Sequence, residues 1–449
     1  MNQALTDFFR CPEDFCTLAE AGRLSENTGF FQFGKNVICY GQCSGPSPAL
    51  SFTNELPDVL ELAKIDGAKM YLPFDLSQVA DNLRYEHYPH YANGRPNRKQ
   101  GDVPRRIYYL FRPLLPVLVR KHLQRIHFQG WNRIPFPRWP VDFSVEALME
   151  QALTVLLRSG RATRVPFIWF WPNGAPSCSI MTHDVEASAG RDMCNALMDL
   201  DDSFDIKSAF QVVPEVRYGN AERLLQGIRD RGFEVNVHDL NHDGSLFQEK
   251  TEFLRRAARI NKYVADFRTL GFRAGAMYRN QEWYPAFDFS YDMSVPNVAH
   301  LEPQRGGCCT VMPYFIGKIL ELPLTTIQDY SLFHILGDYS IELWKQQIDL
   351  ILKRNGLVSF IIHPDYMIEK RARDVYSELL RHLVRMREKQ KLWITLPGEV
   401  NRWWRSRSQM KLVPAGDAWK IEGPDCDRAR IAYAALDGDR LIYTVENAS

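Results

Sequence analysis

Six residues fall at the ends of short apolar runs, and their types are those that bind cations and move protons. The run 177–182 leads into His183-Asp184-Val185-Glu186, and because side chains alternate along an extended backbone, Asp184 and Glu186 point to the same side. Two carboxylates therefore share one site, while His183 points away from it. A second run, 233–237, leads into His238-Asp239-Leu240-Asn241-His242. Two imidazoles spaced i, i+4 face one metal ion when the segment turns helically. Arg273 lies in the run 271–277, and His363 ends the run 357–363. A lone D-x-E or H-x-x-x-H is common by chance. The ordered set, one group per run end, carries the weight.

Residues so placed need elements that bring run ends together. Apolar runs at 177–182, 208–213, 233–237, 271–277, 291–295, 320–326 and 357–363 alternate with stretches of helical periodicity at 221–231, 252–270 and 340–354. That alternation predicts a parallel sheet covered by helices, an α/β architecture with about seven units and so a partial barrel, whose chemistry sits at the C-terminal strand ends. Residues 141–407 are expected to form this unit, with a helix opening at Ser144. Ahead of it, residues 1–140 read as a small α+β domain, with strands at 30–33 and 36–40 and a helix at 56–64. That domain carries a basic, aromatic stretch over 105–131 and ends in the Pro-rich connector 131–140. Residues 408–449 read as a small antiparallel β unit, because Asp437-Gly438-Asp439 is a strong hairpin signal.

Composition narrows the partners. The 449 residues carry 55 Lys plus Arg against 54 Asp plus Glu, so no long-range field draws the chain to nucleic acid. The N-terminal residues MNQALTDFFR show no secretory signal, which makes the cytoplasm the expected compartment. Nine scattered cysteines fit reduced thiols. Cys11, Cys16, Cys39 and Cys43 form no C-x-x-C pair, and incidental thiols are preferred to a structural zinc. No run reaches the length of a membrane span. The stretch 107–119 is broken by Pro113 and Pro116 and flanked by Arg105, Arg106, Arg120, Lys121 and Arg125, which suits a helix packed on its neighbour. Peripheral membrane contact through 105–125 is the alternative.

The ordered motifs resemble the polysaccharide deacetylase family (the NodB homology domain, carbohydrate esterase family 4). Met181-Thr182-His183-Asp184-Val185-Glu186 is similar to the T-H-D-V-D branch of its first motif. His238 to His242 matches H-[ST]-x-x-H with Asp239 in place of Ser or Thr, Phe272-Arg273-Ala274-Gly275 matches the Arg motif, and 358–363 matches L-x-x-x-H. The resemblance covers roughly residues 175–400. It implies a partial (β/α) barrel and a divalent cation, Zn²⁺, on Glu186, His238 and His242. It also implies Asp184 as general base, Arg273 as the group that orients it and His363 as general acid. The expected reaction is hydrolysis of a non-peptide carbon–nitrogen bond, the N-deacetylation of an amino sugar in a glycan or glycan precursor. Glu186 is one methylene longer than the Asp of the motif. Its carboxylate can ligate the cation or fill the cation's position, so a metal-independent, allantoinase-like amidohydrolase and a catalytically dead carbohydrate-binding barrel stay open beside the leading reading.

Overall fold

Every position from Cys178 to Val185 is apolar, small or destined for a partner, and a strand of that kind must be covered on both faces. In the computed structural model, which describes residues 4–12, 17–67, 69–92, 95–96, 128–219, 222–416 and 418–446, this run is strand β1 (Cys178–Val185), buried along its whole length. It lies in a sheet with β2 (Ala209–Val212), β3 (Glu234–His238), β4 (Gly271–Arg273), β5 (Tyr291–Asp292), β6 (Tyr314–Ile316), β7 (Ile319–Glu321), β8 (Leu357–Ile362) and β9 (Trp393–Thr395). The order is β6-β7-β5-β4-β3-β2-β1-β8, parallel throughout except for the β6–β7 hairpin. One edge of β1 is taken by β8, and the other is shared by β9 near its start and β2 near its end. This is the curled, helix-covered α/β sheet that the strand–helix alternation predicts.

The sheet curls until the chain after β7 runs beside β8, and no ladder joins the two. Pro323 has no N–H to give. Threonine hydroxyls span the gap instead: Thr325 Oγ1 donates to the Leu357 carbonyl at 2.8 Å and accepts from Ser359 N at 2.9 Å, and Thr326 Oγ1 donates to the Ser359 carbonyl at 2.7 Å. The strand expected over 320–326 is therefore short: backbone bonds continue as far as Leu324 on the side of residues 292–297, while on the β8 side side chains take the place of backbone pairing.

Helices α1 (Ser144–Arg158), α2 (Ser188–Ser203), α3 (Glu222–Asp230), α4 (Lys250–Asp266), α5 (Glu342–Leu352), α6 (Lys370–Gln390) and α7 (Pro397–Gln409) accompany the strands. Alternation along β1 divides the core. Met181 packs with Leu197 and Met198 of α2, Ile348 of α5 and Leu379 of α6, whereas Ile180 joins a second group with Leu148 and Leu156 of α1. His183, as expected, points away from the site. Its Nε2 lies 3.0 Å from Asp201 Oδ2, both side chains fully buried, and Tyr376 and Ser208 donate to the same carboxylate.

Outside the sheet, the antiparallel pair Gly29–Gln32 and Ile38–Gly41 forms as the sequence predicts. The helix expected at 56–64 does not. Only a short turn, Leu60–Leu62, precedes strand Lys64–Asp66, because Asp58 accepts from the backbone of Leu60 and Gly34 and fixes the segment locally. The C-terminal hairpin Ile431–Asp437 and Arg440–Val445 joins strand Arg164–Ile168 in a three-stranded sheet. Phe9, Phe31, Met149, Phe167, Trp403 and Ala432 contribute to one apolar group, so residues from all parts of the chain share a core. Most of the basic stretch 105–131, including all of 105–125, lies outside the described residues, as does Cys16. Cys11, Cys39 and Cys43 are buried free thiols. Among the described residues no helix is long and apolar enough to cross a membrane.

Candidate active site

The parallel order of β1, β2, β3 and β4 brings their C-terminal ends side by side, and β8 adds its own end next to β1. All six residues singled out in the sequence meet there. Glu186 Oε1 is the centre: it lies 2.8 Å from His242 Nε2, 3.6 Å from His238 Nε2 and 3.5 Å from His363 Nε2. Asp184 stands beside it, with Oδ2 3.8 Å from His238 Nε2. Two overlapping sets, Glu186 with His238 and His242, and Asp184 with Glu186 and His363, each bring their ligand atoms within 4.8 Å of one another.

His238 is held by its backbone neighbour across the sheet. Its Nδ1 lies 3.1 Å from the Arg273 carbonyl, which fixes the proton on Nδ1 and turns the Nε2 lone pair into the site. The two histidines converge without the helical turn expected between them. Asp239 and His242 instead adopt left-handed backbone conformations, φ 55° at each, and the Asp239 carboxylate accepts from Leu240 N at 2.7 Å, the local bond that makes Asp tolerant of that region. Gly275 of the following loop is pressed against this bend. A Cβ there would lie 2.5 Å from Asp239 Oδ2 and 3.0 Å from His242 Cδ2, so only glycine fits.

Arg273 is wholly buried. It donates through Nη1 to Asp184 Oδ1 and to Thr182 Oγ1, both at 2.7 Å, and through Nε to the Met293 carbonyl at 3.0 Å. Burial pushes the Asp184 carboxyl toward its neutral form. The Arg273 guanidinium, with His238 and His363, outweighs burial and holds Asp184 below the usual carboxylate range. Glu186 is driven further down: burial opposes its ionisation, and His242, His238 and His363 overcome it. His363 moves the other way. Burial disfavours its charge, but Asp329 Oδ1 at 2.6 Å from Nδ1, together with Glu186, lifts its pKa well above the ordinary histidine value. Asp329 also accepts from the His363 backbone at 2.7 Å, so the ring is fixed with Nε2 toward Glu186.

A cation fits this cradle. The Nε2 atoms of His238 and His242 are both buried and lack an aligned hydrogen-bond partner, although Glu186 Oε1 is close to each, so both ring nitrogens face a point between the three residues. Glu186 leaves 26% of its side chain exposed, which keeps the cradle open on one side.

The strand-end pattern in the sequence misses Arg217 and Tyr366. The Tyr366 ring lies 4.9 Å from the His363 ring, three residues beyond it in a turn after β8. Arg217 follows β2, whose end carries no titratable residue, so nothing in the strand-end pattern pointed to it.

No family model matches the chain, and no curated protein does. Among solved structures it is similar to a protein described as a polysaccharide deacetylase from Mycobacterium smegmatis, at 17% identity and a TM-score of 0.43 over 53% of this chain and 93% of that one. It is also similar to Puue allantoinase, at 14% identity and a TM-score of 0.41 over 52% of this chain and 92% of that one. A third is the peptidoglycan deacetylase PdaC from Bacillus subtilis, at 13% identity and a TM-score of 0.33 over 51% of this chain and 93% of that one. The likeness is one of fold.

Proposed function

We propose that the chain is a cation-dependent hydrolase of a linear carbon–nitrogen amide, an N-deacetylase acting on an amino sugar in a glycan or glycan precursor. The observation that carries the reading is the convergence of Glu186, His238 and His242 on one point, with a charged base, Asp184, on one side and a proton-holding imidazole, His363, on the other. The amino-sugar substrate follows from the motif resemblance. A divalent cation held by Glu186, His238 and His242 supplies electrophilic activation of the amide carbonyl and of the attacking water.

The chain's own groups do the rest. Asp184 takes a proton from the attacking water on Oδ2, because Oδ1 is engaged by Arg273. Arg273 fixes the carboxylate and keeps it ionised. His363 delivers a proton from Nε2 to the departing nitrogen, and Asp329 on Nδ1 stabilises the charged ring until it does. Water adds to the carbonyl, the C–N bond breaks, and acetate and a free amine leave. One specific observation favours a second reading: Glu186 Oε1 lies close enough to three imidazoles to fill the centre by itself, which is the metal-independent amidohydrolase arrangement.

Elemental analysis separates the two. The purified protein is expected to hold about one divalent ion per chain, and His238→Ala to hold little. Equal, negligible metal in both would overturn the cation reading in favour of the metal-free one. Release of acetate from N-acetylglucosamine oligomers tests the activity itself, and a wild type that binds those oligomers but releases none is a dead barrel.

A further inference from the structure

Metal-binding histidines almost always donate the N–H of the far ring nitrogen to a carboxylate or carbonyl. His238 does so. His242 does not, because what faces its Nδ1 is a guanidinium. Arg217 Nη2 donates toward His242 Nδ1 at 3.4 Å and to the His242 carbonyl, and Arg217 Nε donates to the Asn241 carbonyl at 3.1 Å. Arginine has no acceptor to offer. A neutral His242 that accepts on Nδ1 must carry its proton on Nε2, on the side of Glu186 Oε1, which lies 2.8 Å away without being aligned to accept it, and where a cation would bind.

This contact is built rather than incidental. The loop bearing Arg217 is tied to the end of β1 by Tyr218, whose hydroxyl donates to the Val185 carbonyl at 2.8 Å and accepts from Val213 N at 2.9 Å. The preceding Val216 is 89% exposed with φ 71°. It is the only β-branched residue in that region among the described residues.

The geometry points to Arg217 as a positioning residue that selects the Nε2–H tautomer of His242 and thereby weakens cation binding at the site. The inference rests on the proposed cation site. Loading the cation requires His242 to move its proton to Nδ1, where it meets a positive charge and no acceptor. His238 is ready in advance, and His242 is the ligand that must be converted.

Two measurements test this. In the metal-free wild type, nitrogen-15 shifts of the histidine rings should report an Nδ1–H tautomer at His238 and an Nε2–H tautomer at His242. In Arg217→Gln the amide oxygen can accept from Nδ1–H, so Zn²⁺ measured by chelator competition should bind about tenfold tighter than to wild type, the scale of outer-shell effects on metal affinity. A loss of local structure would weaken binding, not tighten it. An Nδ1–H tautomer at His242 in the wild type, or Zn²⁺ affinity in Arg217→Gln that is unchanged or weaker, overturns the assignment. Should Arg217→Gln not fold, Arg217→Met takes its place in the affinity measurement. If neither protein takes up Zn²⁺, the cation reading of the site fails, and the wild-type spectrum still decides whether Arg217 sets the tautomer.

Discussion

In the proposed reaction Asp184 meets two opposed demands: it must be buried enough to strip water from the reacting atoms and yet stay ionised as a base. Arg273 reconciles them, and it must itself be buried to do so. Asp184→Asn keeps the shape of the site and removes the proton acceptor, so turnover of an acetylated amino sugar is expected to fall by about 10²–10⁴ with little change in substrate affinity. His363→Ala should slow an amide, whose amine leaves poorly, far more than an activated ester, which needs no proton to leave. Steady-state kinetics on both substrate types check the pair, and full amide turnover in either variant removes that residue from its role. At this scale the sequence was most informative, because side-chain alternation and strand-end position suffice to place Asp184, Glu186, His238, Arg273 and His363 at one rim. Arg217 was hidden because its reach to His242 depends on a loop whose path is fixed by Tyr218 and a strained Val216, neither of which has a pattern of its own.

Elements were legible in type and less so in extent. The run 320–326 has the composition of one strand, but on the β8 side Pro323 offers no N–H and the contact falls to Thr325 and Thr326. Two variants separate these hydroxyls. Thr326→Val loses one donor bond and should cost about 1 kcal/mol. Thr325→Val also strands the buried N–H of Ser359, and its cost should rise to about 2–3 kcal/mol. Urea denaturation reads both, and an equal cost would mean that the bond from the Ser359 N–H to Thr325 adds nothing to the seam. The connector 131–140 shows a second contact invisible to periodicity. The His300 ring stacks on Trp139 at 5.8 Å, and its Nε2 lies 2.9 Å from the Pro137 carbonyl. Burial, which the Pro137 carbonyl only partly offsets, depresses its pKa to about 4. The folded protein then holds His300 neutral while the unfolded chain takes a proton near pH 6.5, so this contribution is intact above pH 6.5 and is lost as the pH falls toward 4. At about 1.4 kcal/mol per unit, the loss approaches 3 kcal/mol. His300→Asn should flatten the pH dependence of unfolding over that interval, and an unchanged slope would assign it elsewhere.

At the scale of the molecule, the site depends on parts of the chain that carry none of its chemistry. The loop after β4 runs from Arg273 through Gly275, wedged against Asp239 and His242, to Arg279, and Arg279 is anchored by Glu86 from far upstream. Glu86 accepts from Arg279 Nε at 2.6 Å and from Gly307 N at 2.5 Å, and also pairs with Arg279 Nη2, with both side chains almost wholly buried. Composition and periodicity hold no trace of this link, since an ion pair between residues so distant in sequence exists only once both surfaces are formed. Removing one member leaves the other charged and buried, so Glu86→Gln should destabilise the protein by about 3 kcal/mol. Arg279→Met should cost a similar amount. Because each single change strands the partner, the double variant should cost clearly less than their sum. If the latch also positions the Gly275 loop, Glu86→Gln should lower kcat on an acetylated amino sugar while leaving KM nearly unchanged, and Glu86→Asp should recover part of the rate. Additive stabilities in the cycle would show that Glu86 and Arg279 act independently, and an unaltered kcat in a folded Glu86→Gln protein would confine the latch to stability.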